Sequence, residues 1–476
     1  MATAALPLSA KPRLPAWWLE EALAAEGVVS EAPPLEGGLE VDVAVVGGGY
    51  TGLWTALALR ELDPGVRVAV LEAETVGYGP SGRNGGFLHA YWSALGRLRD
   101  AFGDDGALAV ARAAEGCHAG VRAFVEDHDE DVWLREAPLL RVSVTAHQDE
   151  ALDRSLRATG ELGVPEEAVL LSPAEVAERC ASPVFRRGVL YRDGSTVQPA
   201  RLARALRRAV IGHVALHEHT PVLRLRRGSP NVLETPFGHV HAAEVVVAIN
   251  AAATAWRPAA RRLTNFGSYV ALTEPVPELL EEIKWTGGES IFDGRMFLHY
   301  FRTTEDGRVV MGSGSGPIGL GGRIDGRFSV DEPSAARAEA GLRLLLPGLA
   351  EARVERTWGG PIDVSADRFP FFATVPGHRV HYGAGYTGNG VGPSWLGGQI
   401  LARLALGVED ELTALPLVNR KRAKFPPEPM KGLGGAVIRA ASLRVEEAEE
   451  SGRRAPALLR AVAALPHALG LRVGTR

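Results

Sequence analysis

Hydrophobic and polar positions follow three distinct rhythms along this chain, and each predicts a different kind of element. Nearly continuous apolar runs at Val41-Asp42-Val43-Ala44-Val45-Val46, Val68-Ala69-Val70-Leu71 and Glu244-Val245-Val246-Val247-Ala248-Ile249 read as strands buried on both faces of a parallel sheet. A long apolar stretch with helical spacing joins the first two, so the opening third contains a strand–helix–strand unit. A period of two marks Ser268-Tyr269-Val270-Ala271-Leu272-Thr273 and Met296-Phe297-Leu298-His299-Tyr300-Phe301-Arg302. Glu305-Asp306-Gly307 then turns into Arg308-Val309-Val310-Met311, which predicts an antiparallel hairpin. From Pro333 to Leu346 the spacing is that of a helix with an Ala/Leu face.

Both ends read differently from the middle. Residues 1–37 are rich in Pro and Ala, carry Trp17-Trp18 and have a short helical pattern ending near Ala25. Paired tryptophans favour burial, so this segment is expected to lie on the main body as an arm. Phe425-Pro426-Pro427-Glu428-Pro429 breaks the main body off from a tail of two helical segments, 434–445 and 456–471. In the second, Leu458, Leu459, Val462 and Leu465 recur at helical spacing among arginines. Such a helix lies on the protein's own body, on a neighbouring subunit of a homo-oligomer, or on a membrane surface; the first two are the commoner arrangements.

Composition narrows the class without naming the chemistry. The 476 residues are 46% hydrophobic and 23% charged, with a formal charge of −5, so nothing draws the chain toward nucleic acid. Cys117 and Cys180 are too few for a disulfide framework or a cysteine metal site, and a reducing, cytoplasmic setting is expected. No apolar stretch reaches transmembrane length, and the first forty residues lack a basic-then-apolar leader.

The chemistry lies in the glycines. Gly47-Gly48-Gly49-Tyr50-Thr51-Gly52 follows the first strand and opens the helix, and Glu72 ends the next strand twenty residues after Gly52. In this Gly-x-Gly-x-x-Gly arrangement Gly47 makes the tight turn, Gly49 lets backbone approach a pyrophosphate and Gly52 lets helix pack on strand. The helix N-terminus faces the phosphates, and Glu72 accepts from ribose hydroxyls, with Ala73 beside it. A second loop, Gly77-Tyr78-Gly79-Pro80-Ser81-Gly82-Arg83-Asn84-Gly85-Gly86, adds backbone donors, a cation and side-chain hydrogen bonds suited to a longer dinucleotide than NAD. A third turn matches at Gly383, Gly385 and Gly388, but no acid-tipped strand follows it. A fourth match, Gly314-Ser315-Gly316-Pro317-Ile318-Gly319, precedes Leu320-Gly321-Gly322-Arg323, which opens no helix; it is either a mobile loop near the active site or a plain connection.

The first motif paired with Ser81-Gly82-Arg83-Asn84-Gly85-Gly86 resembles the FAD-dependent oxidoreductases of the D-amino-acid oxidase (DAO) superfamily, in particular its γ-glutamylputrescine oxidoreductase-like branch. The resemblance spans roughly residues 38–430 and implies an α/β plus α+β fold: a Rossmann-like FAD-binding domain interleaved with an antiparallel-sheet substrate domain. The FAD domain would take 38–90, 185–260 and 355–415, the substrate domain 91–184 and 261–354, with 416–476 as tail. The cofactor contacts it implies are Gly47, Gly49, Tyr50, Thr51, Gly52, Glu72, Ala73, Gly79, Ser81, Gly82, Arg83, Asn84, Gly85 and Gly86. Further along they are Val222 in a strand-like Pro221-Val222-Leu223-Arg224-Leu225, then Asn250, Gly385, Thr387, Gly388, Asn389, Gly390 and Val391. In the family the third turn aims a helix N-terminus at the flavin pyrimidine edge, where its dipole stabilises the charge gathered on reduction.

What the resemblance implies for chemistry is oxidation of a C–N bond in a small-molecule amine, by hydride transfer to noncovalently held FAD, with O₂ or another acceptor taking the electrons. Oxidation of a C–OH or C=C bond on the same fold is the alternative. Candidates for the pocket are His299 and Tyr300, of which alternation lets only one face a cavity, together with Trp358, which is core packing or an aromatic wall, and His89 just beyond the second loop. Amino-acid-oxidising relatives carry an arginine clamp before the proline matching Pro361; here Gly359-Gly360 precede it, and Arg302 is the substitute within reach. Sarcosine oxidases place an oxygen-activating lysine where the alignment puts Val310, so fast reaction with O₂ is not expected. Asn84 stands where other relatives carry a flavin-linked histidine, and neither cysteine falls in a covalent-attachment motif.

Overall fold

Strands far apart in the sequence are neighbours in space. In the computed structural model, which describes residues 3–5, 16–421, 423–451 and 453–468, Gly37–Val46 runs parallel to Val68–Leu71 on one side and to Gly238–Val247 on the other. Val380–Ala384 adds in parallel to the end of Gly238–Val247, and Phe371–Thr374 pairs antiparallel with it. Ala215–His217 extends the far edge beside Val68–Leu71. The near-continuous apolar pattern is explained by this centre: Val43, Val45 and Val70 pack on one face, Ala44, Val46, Ala69 and Leu71 on the other. The crossover helix Tyr50–Leu62 and the helix Val391–Leu406 pack against each other on the first face.

A second sheet is ordered Val354–Ser365, Leu263–Thr273, Val309–Ser313, His299–Thr303, Ser290–Phe292, Leu139–Val142, Gly188–Tyr191, Val169–Leu171. The expected hairpin is its middle, with His299 opposite Ser313 and Arg302 opposite Val310. The helix expected over 333–346 is Glu332–Leu345, started by Asp331, whose carboxylate accepts from Ser334 N–H. Two segments expected on the nucleotide side, Gly188–Tyr191 and Val354–Ser365, hydrogen-bond into this sheet instead; the latter pairs with Leu263–Thr273 over nearly its whole length. The apolar segment at 221–225 is also shorter as a strand than its pattern suggests, Arg224–Arg226, because Val222 turns inward to the core while Leu223 is exposed.

The arm and the tail both dock on the body. Residues 1–2 and 6–15 of the arm lie outside the described residues; Trp17–Glu26 is a helix. Gln198 Nε2 donates to Trp18 O (2.7 Å) and Arg204 Nε to Glu26 (2.7 Å), and Trp18 is fully buried against Trp358, Val270 and Val310. The tail helix Met430–Glu450 crosses the second sheet's loops: Glu446 accepts from Met296 N–H, Arg295 pairs with Glu450 at 3.1 Å, and Arg439 Nε donates to Ser315 O at 2.9 Å. Gly314–Gly319 is thus a connection held under this helix, and its glycine pattern opens only a short 3₁₀ turn at Leu320–Gly322. The last helix, Ala457–Ala468, packs on Met430–Glu450, and residues 469–471 of the expected segment lie outside the described residues. No helix among the described residues is long and apolar enough to cross a membrane.

Truncating Trp18 to Ala opens a cavity where arm, sheet and second glycine loop meet. The expected loss is about 3–5 kcal/mol of stability, read as a lowered urea midpoint with an unchanged m-value; a shift near zero would mean that the arm does not dock.

Candidate active site

Backbone geometry at the first glycine turn leaves no choice of residue. Gly47 has φ +106°, and a Cβ there would stand 2.4 Å from Ala248 O; one on Gly52 would stand 1.9 Å from Gly47 O. The turn delivers the N-terminus of Tyr50–Leu62 beside the second loop, where Ser81 Oγ accepts from Tyr50 N–H at 2.9 Å. The first-turn amides that follow have no carbonyl within the helix and suit a phosphate. Tyr50 contributes only backbone there, since its hydroxyl turns away to Pro199 O (2.7 Å). Glu72 sits at the strand end, accepting from Gly48 N–H (2.7 Å) on Oε2 and from Glu74 N–H (3.0 Å) on Oε1. Burial raises its pKa against those bonds, and each oxygen retains a lone pair for a hydroxyl. Val222 is buried close by, two residues after Thr220, whose N–H donates to Glu72 O at 2.7 Å; Ala73 and Gly79 are exposed.

Four successive carbonyls of the second loop are each held by a donor from a different part of the chain. Arg83 O accepts from Trp358 Nε1 (2.9 Å), Asn84 O from Trp18 Nε1 (3.1 Å), Gly85 O from Arg302 Nε (2.6 Å) and Gly86 O from Val197 N–H (2.9 Å). In a trans peptide N–H and C=O point opposite ways, so with the carbonyls turned to the scaffold the amides of Asn84 and Gly85 face the other side. The Asn84 side chain braces the loop, donating to Ser81 O (3.0 Å) and Pro80 O (3.2 Å) and accepting from Gly86 N–H (2.7 Å). Arg83 Nε donates to Gly359 O at 2.8 Å, and burial lowers its guanidinium to about 10. Gly82 and Gly86 admit no side chain: a Cβ would lie 1.9 Å from Gly77 O and 2.1 Å from Val197 O.

The third turn closes on the first. Thr51 Oγ1 and Tyr386 Oη are 2.8 Å apart, and Gly385 and Gly388 both have φ +86°. Asp363, on Val354–Ser365, accepts from Gly385 N–H at its carboxylate and from Thr387 N–H at its carbonyl (2.9 Å), while Asn250 Nδ2 lies 3.4 Å from its Oδ1. Burial pushes the Asp363 carboxyl up to about 6 although the Gly385 N–H opposes this. Asn389 Nδ2 donates to Ala90 O at 2.9 Å, and among the described residues the buried Oδ1 atoms of Asn389 and Asn250 have no hydrogen-bond partner, which suits both to accept from a ligand. Gly390 caps Val391–Leu406, whose N-terminus faces this junction.

The substrate candidates divide between the two faces of the second sheet. Tyr300 faces the glycine loop: its ring would meet a Cβ on Gly85 at 2.7 Å, stands 5.6 Å from the Phe87 ring, and its hydroxyl is 2.9 Å from Ser268 Oγ. His299 points the opposite way, against Gly341 of the covering helix, with Nδ1 3.1 Å from Asp293; strand alternation removes it from the pocket. Trp358 is core, since its indole N–H holds Arg83 O and its ring stands 5.9 Å from Trp18. Arg302 is no clamp either: beyond Gly85 O its Nη2 donates to Val197 O (2.7 Å) and Nη1 to Thr303 O (3.1 Å), and burial lowers it to about 9. His89 lies by the third turn, where its carbonyl stands 2.8 Å from the Cβ position of Gly392, and burial lowers its imidazole to about 4, which keeps it neutral. Val310 is buried under Trp18 and Trp358. Sequence reasoning passed over Asp363, whose one signal was a lone acid inside the apolar strand Pro361-Ile362-Asp363-Val364-Ser365.

Comparison with known proteins gives the family and the fold. The profile of the family described as DAO, FAD dependent oxidoreductase, matches residues 42–404. The chain is 29% identical over 428 residues to the probable oxidoreductase OrdL of Rhizobium meliloti, covering 86% of this chain and 91% of that protein. It is 28% identical to the gamma-glutamylputrescine oxidoreductase of Escherichia coli, covering 81% and 88%. Among solved structures, glycine oxidase from Geobacillus kaustophilus superposes with a TM-score of 0.66 at 23% identity, over 81% of this chain and all of that one, a likeness of fold.

Two outcomes follow for the junction. Gly52→Ala drives a methyl group into Gly47 O, so the purified variant is expected to lack flavin absorbance; a yellow variant would refute the close approach. Asp363, raised above its ordinary 3.8 to about 6, stabilises the fold fully below pH 3.8 and loses that contribution as pH rises through about 6. Relative to Asp363→Asn, the wild-type apoprotein should therefore lose thermal stability across that window; parallel curves would contradict it.

Proposed function

From the premise that this chain belongs to the DAO family of FAD-dependent oxidoreductases, and so is an enzyme with FAD as its cofactor, we propose that it oxidises a C–N bond of a small-molecule amine. The glycine turns, the Glu72 carboxylate and the unpartnered Asn250 and Asn389 oxygens fit FAD, with the diphosphate at Tyr50–Leu62, the ribose at Glu72 and the flavin between Ser81–Gly86 and Val391–Leu406. Bound there, FAD would supply the hydride-accepting capacity that oxidises the carbon bearing nitrogen to an imine, which water would hydrolyse.

The observation that carries the reading is Tyr300, laid over Gly85 with its hydroxyl on Ser268, on a face where Gly360 supplies no arginine opposite Ser268. Burial raises the Tyr300 phenol, so it stays a hydrogen-bond donor, suited to orienting an uncharged amine. Its ring and Phe87 wall the site with apolar surface and exclude water. The N-terminus of Val391–Leu406 offers positive partial charge where negative charge collects. His89, neutral at working pH, adds no opposing cation. Likeness to a gamma-glutamylputrescine oxidoreductase supports an amine, and the absent clamp at Gly360 disfavours a simple α-amino acid.

Anaerobic mixing of the yellow holoenzyme with a panel of primary and secondary amines tests the reading: bleaching of the flavin by an amine is expected, whereas bleaching by hydroxy acids alone would overturn it. With Val310 in place of a cation, recolouring on admitting air should be slow, and prompt recolouring would contradict that expectation. Tyr300→Phe should raise KM for the amine more than it lowers kcat, with FAD content unchanged.

A further inference from the structure

Arg141 is a buried guanidinium with no ion-pair partner among the described residues. It is 6% exposed on Leu139–Val142, its centre 5.8 Å over the Phe292 ring, with Nη1 3.4 Å from Ser155 Oγ. Among the described residues neither Nε nor Nη2, both buried, has a hydrogen-bond partner within 3.5 Å, and the Tyr191 hydroxyl lies beside the guanidinium. The other buried arginines among the described residues each have a carbonyl or carboxylate partner: Arg83 and Arg302 carbonyls, Arg204 and Arg207 the carboxylates of Glu26 and Glu218, Arg295 those of Asp293 and Glu450. The buried Asp193 carboxyl accepts from Ala90 N–H (3.1 Å), and burial raises its pKa well above the ordinary carboxyl value. A desolvated cation left in this state is costly unless a ligand completes it.

Its place in the sheet says where that ligand sits. Arg141 is in register with Phe292, and Phe292 with Tyr300, so the three share one row and one face. Core packing agrees: Leu139 and Tyr191 face the nucleotide-side core, Leu140 and Val142 the opposite one. Two strand spacings of ~4.8 Å put Arg141 about 10 Å along the row from Tyr300. Its free Nε and Nη2 form one edge of the guanidinium, the fork that takes both oxygens of a carboxylate.

We infer that Arg141 anchors a carboxylate at the end of the substrate remote from the reacting amine, so that the enzyme selects elongated amino acids whose acid lies well away from the oxidised C–N bond. The inference rests on the amine reading above. It also gives the missing clamp at Gly360 a physical sense, because an acid recognised at Arg141 holds the amine end over Gly85 and leaves the clamp position open.

The test compares ε-aminocaproate with hexylamine, which lacks only the acid, on wild-type and Arg141→Met holoenzymes in anaerobic flavin bleaching. Arg141→Met should lower the efficiency on ε-aminocaproate about a hundredfold, chiefly through half-saturation, and leave hexylamine within about twofold. Equal losses on both amines, or none, would overturn the anchor. Arg141→Lys, which keeps the charge but not the fork, should fall between, and it carries the test if the Met variant does not retain FAD. A second readout is independent of turnover: adipate should perturb the wild-type flavin spectrum at concentrations that leave the Arg141 variants unchanged. If no amine bleaches the wild type, the amine reading fails by itself. The adipate titration then decides the anchor alone, an identical or absent response in wild type and variant counting against it.

Discussion

Loop Ser81–Gly86 is held from behind by four donors on its successive carbonyls: Trp358, Trp18, Arg302 and the Val197 amide. Those donors come from the last strand of the second sheet, the arm, the middle hairpin and the approach to Pro199–Val210. The loop is therefore the point where the parts of the molecule are tied together, and its amide face is fixed only when all four are in place. Arg302 is central: fully desolvated, it joins Gly85 and Val197 carbonyls while its guanidinium lies 5.2 Å from the Trp18 ring. A cation satisfied by neutral carbonyls keeps net positive potential in the loop, and that potential would favour electrons arriving at a flavin placed as proposed above.

The two faces of the second sheet divide the remaining work. One face meets the nucleotide half and carries Tyr300, Phe292 and Arg141; the other carries His299, Asp293 and the apolar residues under Glu332–Leu345. Since the cofactor carries the redox chemistry, the protein's tasks are placement, exclusion of water and charge. The residues proposed for them have positions fixed by backbone: Tyr300 by Gly85 and Gly312, Asn389 by Ala90, Asp363 by the Gly385 turn.

What was legible in the sequence was local. Gly47, Gly49, Gly52 and Glu72 announce a nucleotide because the turn, the helix start and the acid obey spacing rules within thirty residues, and the period-two hairpin announced itself in the same way. Illegible were facts set by register between distant strands. Alternation shows that His299 and Tyr300 diverge, but only pairing with Gly312 and Phe292 decides which meets Gly85. Arg302 read as a substrate clamp because its three carbonyl partners are 1, 105 and 217 residues away. Trp18 read as buried packing, and Trp358 as either packing or an aromatic wall, of which the structure shows the first; the indole N–H bonds that make them loop supports are invisible without coordinates.

The order of strands in the parallel sheet has a consequence for biosynthesis. Gly37–Val46 waits for Gly238–Val247, and that strand in turn waits for Val380–Ala384. Through most of synthesis on the ribosome the nascent chain thus carries an unpaired, strongly apolar edge, and no cofactor can be captured until the final fifth has emerged. Such non-local pairing makes folding slow and exposed to aggregation. Recovery of active protein should accordingly hinge less on intrinsic stability than on how long that edge stays unprotected in the cell.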